Sequence, residues 1–109
     1  MRFGGRLAAA IEILGDIEAH HRPAGEALKD WGVSHRFAGS GDRAAIGNLV
    51  YDALRWRRSS GWLMGNDTPR ALVLGTVALH WTDGADGIAQ LVADDPHAPE
   101  PLTAEETSR

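Results

Sequence analysis

Gly41-Asp42-Arg43-Ala44-Ala45-Ile46-Gly47-Asn48-Leu49-Val50-Tyr51-Asp52-Ala53-Leu54-Arg55-Trp56-Arg57-Arg58 decides the fold. Ile46, Leu49, Val50, Ala53 and Leu54 recur at steps of three and four, which puts them on one face of a helix. The segment then ends in three arginines around a tryptophan. A buried stripe joined to a cationic tip suits a helical RNA-binding domain. It equally describes an amphipathic helix with a solvated end.

The same period appears on both sides. Leu7, Ile11, Leu14 and Ile17 form a stripe that predicts a helix over 6–20, with Glu12, Asp16 and Glu18 facing away. Gly15 weakens it by about 1 kcal/mol relative to alanine. A short helix is predicted over 23–31, with Pro23 in its first turn and Gly32 as a left-handed stop. Val33 to Gly41 reads as a loop anchored by Phe37.

The central helix starts at Ser40 or Asp42, either of which can cap it. It continues through Trp62-Leu63-Met64 unless Ser59-Ser60-Gly61 breaks it. Asn66-Asp67-Thr68-Pro69 is punctuation: Thr68 or Asp67 caps, and Pro69 opens the next helix. That helix covers about 70–81 and is apolar around most of its circumference, so it belongs in the middle of the bundle. A further helix is predicted over 83–92, carrying Ile88, Leu91 and Val92.

Residues 94–101 form a proline-spaced, extended linker. Thr103-Ala104-Glu105-Glu106 then reads as a capping box, the start of a helix cut short. No segment alternates as a strand does. The reading is an all-α bundle of about five helices over 1–93, with a linker and a truncated helix start over 94–109.

Composition limits the chemistry. The chain has 109 residues, 43% of them apolar, enough for one modest core. There is no cysteine, so disulfides, thiolate metal sites and cysteine nucleophiles are excluded. No run approaches the roughly 18 apolar residues of a membrane span, and the N-terminus makes a poor signal peptide. A cytoplasmic protein without membrane or metal partners is expected. His20 and His21 lie on different sides of a helix, so they cannot share a metal as i, i+4 histidines can. No catalytic motif stands out, and no catalytic residue is assigned.

Net charge is −4 but uneven. Residues 1–70 hold ten basic against eight acidic residues, a balance of +2; residues 71–109 hold one against seven, a balance of −6. A basic face is therefore possible only in the first two-thirds. The candidate RNA contacts are Arg2, Arg6, Arg36, Arg43, Arg57 and Arg58. Arg2 and Arg6 lie on a glycine-containing arm, while Arg36, Arg43 and Arg70 lie near helix starts, which attract anions. Arg55 reads instead as a partner of Asp52, three residues back. Tyr51 and Trp56 are of a type that stacks on bases, although core is the preferred place for Trp56. Trp31, Trp62 and Trp81 are assigned to packing, and His80 to a partly buried, satisfied position.

Leu49-Val50-Tyr51-Asp52-Ala53-Leu54-Arg55-Trp56-Arg57-Arg58 followed by Trp62-Leu63 resembles the central helix of a known domain. It is the N-terminal domain of RsmB-type (Sun/Fmu) 16S ribosomal RNA cytosine-5 methyltransferases. Asp42-Arg43-Ala44 resembles the opening of that helix, and Arg70-Ala71-Leu72-Val73-Leu74-Gly75 the helix after it. The resemblance spans about 5–92. Asp52 stands where the family has glycine, and Gly61 where it has aspartate.

The resemblance implies a NusB-like fold and RNA engagement by a basic N-terminal arm, here Arg2 and Arg6. It implies a parent enzyme that uses S-adenosylmethionine and two cysteines in a C-terminal catalytic domain. Its expected partners are ribosomal RNA and that domain. No cofactor is expected in this chain. Two other readings stand beside it. One is a protein-interaction module with Trp62, Met64 or Phe37 as its contact patch. The other is a free-standing antitermination factor of the NusB type.

Overall fold

The computed structural model describes residues 3–81 together with Ala98, Pro99, Thr103 and Glu106. The helix expected over 83–92 and most of the 94–101 linker lie outside them. The described residues are all-α, with five helices: α1 (Phe3–His20), α2 (Ala24–Ser34), α3 (Ser40–Arg55), α4 (Arg57–Met64) and α5 (Pro69–Thr76). A π turn, Val77–Trp81, continues from α5.

α5 is the central element, packing against α4, α1 and α3. Every residue from Ala71 to Thr76 is buried, as its all-round apolar pattern predicts. Thr68 caps it: its Oγ1 accepts the Ala71 N–H at 3.2 Å, and Pro69 occupies the first turn. α1 contributes Leu7, Ala10, Ile13 and Leu14 to the core, and α3 contributes Ile46, Leu49, Val50 and Ala53.

Close approach of α4 and α5 depends on Gly75. A Cβ there would lie 2.9 Å from both Ser60 Cβ and Ser60 O, and 3.0 Å from Met64 Cγ. Beside it, Thr76 Oγ1 donates to Leu72 O at 2.7 Å. Thr76's only hydroxyl proton is thus engaged, so Ser60 Oγ is the donor across the helix pair, at 2.8 Å.

The helix ends differ from the sequence reading in several places. α1 begins at Phe3, so Gly4, Gly5 and Arg6 are helical rather than part of an arm, and Pro23 caps α2 instead of lying in its first turn. α2 runs through Gly32, which is buried and helical rather than a left-handed stop. A Cβ at Gly32 would meet Arg43 Cδ at 3.2 Å, so this glycine makes room for an arginine stem. α2 ends instead at His35, whose backbone N–H and ring Nδ1 both donate to Trp31 O.

α3 is capped at Gly39, one residue before the expected start; Asp42 reaches back to the Gly39 N–H at 3.4 Å. The long central helix breaks at Trp56, earlier than Ser59-Ser60-Gly61. A new helix then starts at Arg57 and stops at Gly65. That residue takes φ 79°, a left-handed position that suits glycine, and donates to Gly61 O at 2.9 Å. This break is why five helices fit before residue 77 without the one expected over 83–92.

Side-chain placements are corrected as well. Trp56, expected in the core, is exposed, and Phe37, expected to anchor its loop, is 74% exposed. Trp62 is 85% exposed. The buried positions of α4 are Ser60 and Met64, one helical step of four apart, and Trp62 lies half-way between them on the opposite side. His80 is exposed and stacks on Trp56, so it is not a half-buried histidine satisfied by the core.

Candidate nucleic-acid interface

α3 carries two carboxylates, and the fold engages both. Asp42 meets Arg6, with Nη2 at 2.8 Å and Nε at 2.9 Å from Oδ1. The hydrogen bond from Arg6 is the main reason its carboxyl is held below the usual 3.8. Asp52 Oδ2 accepts the Trp81 indole N–H at 3.0 Å. Arg55 has no ion pair among the described residues, so the expected Asp52–Arg55 bridge does not form.

What remains on the solvent side of α3 is cationic or neutral. Arg43, Ala44, Asn48, Tyr51 and Arg55 are exposed, and no exposed carboxylate interrupts them. Arg43, Gly47, Tyr51 and Arg55 follow one another at steps of four, a slowly winding row about 18 Å long. At Gly47 a Cβ would meet nothing within 4 Å, so the backbone is open there.

Arg43, at the start of the row, lines a groove of about 290 Å³ together with Arg36, Lys29, Leu28, Gly32 and Val33. None of these three cations has an ion pair among the described residues. On α4, Arg58, Ser59, Trp62 and Leu63 join Leu79 around a more apolar groove of about 450 Å³. Trp56 stands at the α3–α4 corner, 38% exposed, with its ring stacked on His80 at 4.3 Å and 26°.

The expected contacts therefore divide. Arg36, Arg43 and Arg58 are exposed and free of ion pairs among the described residues. Arg6 is half-buried against Asp42. Arg57 lies 2.7 Å from Glu18, linking α4 to α1. Arg2 lies outside the described residues. Arg70, near a helix start, is held by Glu106 through two hydrogen bonds of 3.1 Å. Glu106 also closes the reciprocal capping box with Thr103, at 2.8 and 3.1 Å.

Two members of the surface are not among the RNA contacts expected from the sequence. Lys29 has no neighbouring basic residue in the chain, and its place beside Arg36 and Arg43 comes from α2 packing on α3. Arg55 was assigned to Asp52, whose Oδ2 instead accepts the Trp81 indole N–H, and Arg55 has no ion pair among the described residues.

Arginine offers a planar fork suited to phosphate, and exposed aromatic rings offer stacking faces. Among the described residues, no group of three or more His, Asp or Glu is arranged to hold a metal ion. No described helix is long and apolar enough to cross a membrane. Comparison with protein-family models, curated proteins and solved structures finds no match to this chain.

Proposed function

We propose that this chain is an RNA-binding helical domain of NusB type. It serves an S-adenosylmethionine-dependent ribosomal RNA cytosine-5 methyltransferase. The observation that carries the reading is the solvent face of α3: arginines without ion pairs among the described residues and an exposed tyrosine, with both carboxylates of the helix engaged by other partners. Arg43 and Arg55 would hold phosphates along this row. Lys29 and Arg36 extend the contact at one end and Arg58 at the other.

The role is positional. Phosphate contacts release counterions and fix the register of the RNA, and methyl transfer takes place in a separate catalytic domain. That domain would carry S-adenosylmethionine, the methyl donor. With no cysteine in this chain, neither catalytic cysteine of the resembling family has a counterpart, and no chemical step falls on its residues.

Filter binding of a 16S ribosomal RNA fragment at low salt tests the proposal. Arg43→Glu with Arg55→Glu should weaken retention strongly while helicity is kept. Unchanged affinity in the double variant would refute it.

One observation favours a second reading, a protein-docking module. Trp62 is 85% exposed and shares an apolar groove with Leu63 and Leu79. Of the other side chains expected in such a patch, Phe37 is exposed beside His35, while Met64 is buried. The paired carboxylates and free arginines of α3 belong to the RNA reading, and this groove lies at its edge.

A further inference from the structure

The corner at Trp56 says which form of RNA this surface takes. Trp56 ends α3 with φ −101° and ψ 25°, and its N–H still donates to Asp52 O at 2.9 Å. The chain therefore turns without losing that hydrogen bond, and the indole projects from the junction. From the π turn after α5, His80 places its ring against the indole, with centroids 4.3 Å apart. His80 is itself exposed, and Trp56 keeps 38% of its surface open. A planar ring braced on one face by a second ring, and still open to solvent, has room for a third.

Cations flank this stack. Arg55 precedes Trp56 and Arg58 follows two positions later, both exposed and without ion pairs among the described residues. Arg57, between them, is anchored to Glu18 and keeps the corner in place. Aromatic and cationic residues neighbour one another elsewhere in the chain: Tyr51 is 51% exposed one turn before Arg55, and Phe37, 74% exposed, follows Arg36 in sequence.

In a duplex the base faces are covered by neighbouring bases, so exposed rings gain nothing from it. A duplex is recognised through its phosphates and 2′-hydroxyls. Rings interleaved with cations match a single strand, whose bases can stack while its phosphates meet the arginines. Resting on the RNA-binding reading above, we infer that this surface takes single-stranded RNA, with one base stacked on the Trp56–His80 pair.

Fluorescence anisotropy of the whole chain tests this with two probes: a short labelled oligouridylate and an RNA duplex of the same length. The single strand should bind more tightly. Trp56→Ala should weaken the single strand by about ten-fold and leave the duplex unchanged. Trp56→Phe should restore most of the affinity, and His80→Ala should weaken it to a smaller degree. The last two variants decide the matter if Trp56→Ala does not fold. Duplex binding as tight as single-strand binding, with Trp56→Ala and His80→Ala shifting both probes equally or neither, overturns the inference and leaves the RNA-binding reading intact. If neither probe binds, both readings fall.

Discussion

Arg57 Nη1 lies 2.7 Å from Glu18 Oε1, tying the first turn of α4 to α1. Glu18 Oε1 is a buried atom held by charge rather than by an aligned hydrogen bond. The three arginines at 55, 57 and 58 consequently have different work, although they are near neighbours in the chain. Arg57→Ala would leave the Glu18 carboxylate uncompensated and lower stability by about 1 kcal/mol. Its effect on RNA affinity should be small. Arg58→Ala should do the reverse: thermal unfolding nearly unchanged, RNA binding weakened. Melting curves and RNA titrations on the two variants check the division.

Gly75 leaves less room for a Cβ than Gly15, Gly32 or Gly61. Gly75→Ala would raise helix propensity by about 1 kcal/mol. It would also drive a methyl group to 2.9 Å from Ser60 O, a backbone atom that cannot step aside. Overpacking of this kind costs about 1–3 kcal/mol, so net destabilisation is expected. The melting temperature should fall by several degrees. A melting temperature equal to or above wild type would mean that α4 and α5 can separate freely.

The buried Ser60–Thr76 pair predicts an asymmetry. Ser60→Ala removes a donor, yet Thr76 keeps its hydrogen bond to Leu72 O. Thr76→Val, close in shape, removes the acceptor of the buried Ser60 hydroxyl and one hydrogen bond to Leu72 O. The valine variant should therefore lose about 1–3 kcal/mol and the alanine variant less. Urea denaturation of both, with the wild type alongside, measures the difference.

The helical period located the core well. Leu7, Leu14, Ile46, Leu49, Val50 and Ala53 are buried where their spacing puts them, and the Thr68-Pro69 start of α5 follows from capping chemistry. The surface was less legible, because it depends on which side chains meet across helices. Nothing near Arg57 in the chain announces Glu18, and nothing near Asp52 announces Trp81. Trp62 was misplaced for another reason: residue type suggested the core, while helical phase, set by Ser60 and Met64, puts it outside. Gly32 was read as a stop because glycine favours left-handed backbone. Its actual role, clearance for the Arg43 stem, is tertiary.

Three carboxyls are held below their usual values by partners in the fold. Asp16 is lowered chiefly by its hydrogen bond with His20, Asp42 by Arg6 and Glu106 by Arg70. A depressed folded-state pKa adds stability above the unfolded value, and that stability is lost as pH falls through the folded one. With ordinary values of 4.5 for Glu106 and 3.8 for the two aspartates, the stability these three carboxyls contribute should decline below about pH 4.5. Arg70→Ala should flatten the upper part of this acid limb, since it frees Glu106. Thermal melts across the acid range, wild type against variant, read the effect.

The most direct measurement of the central claim is the salt dependence of RNA binding. The account predicts that log Kobs for the whole chain falls linearly with log salt, with a slope of about −0.7 per phosphate held on a single strand. Arg43→Glu and Arg55→Glu should each bring that slope closer to zero by about one unit or slightly less. Affinity that ignores salt, or a slope that neither substitution moves, would contradict the claim that the free arginines of α3 grip RNA.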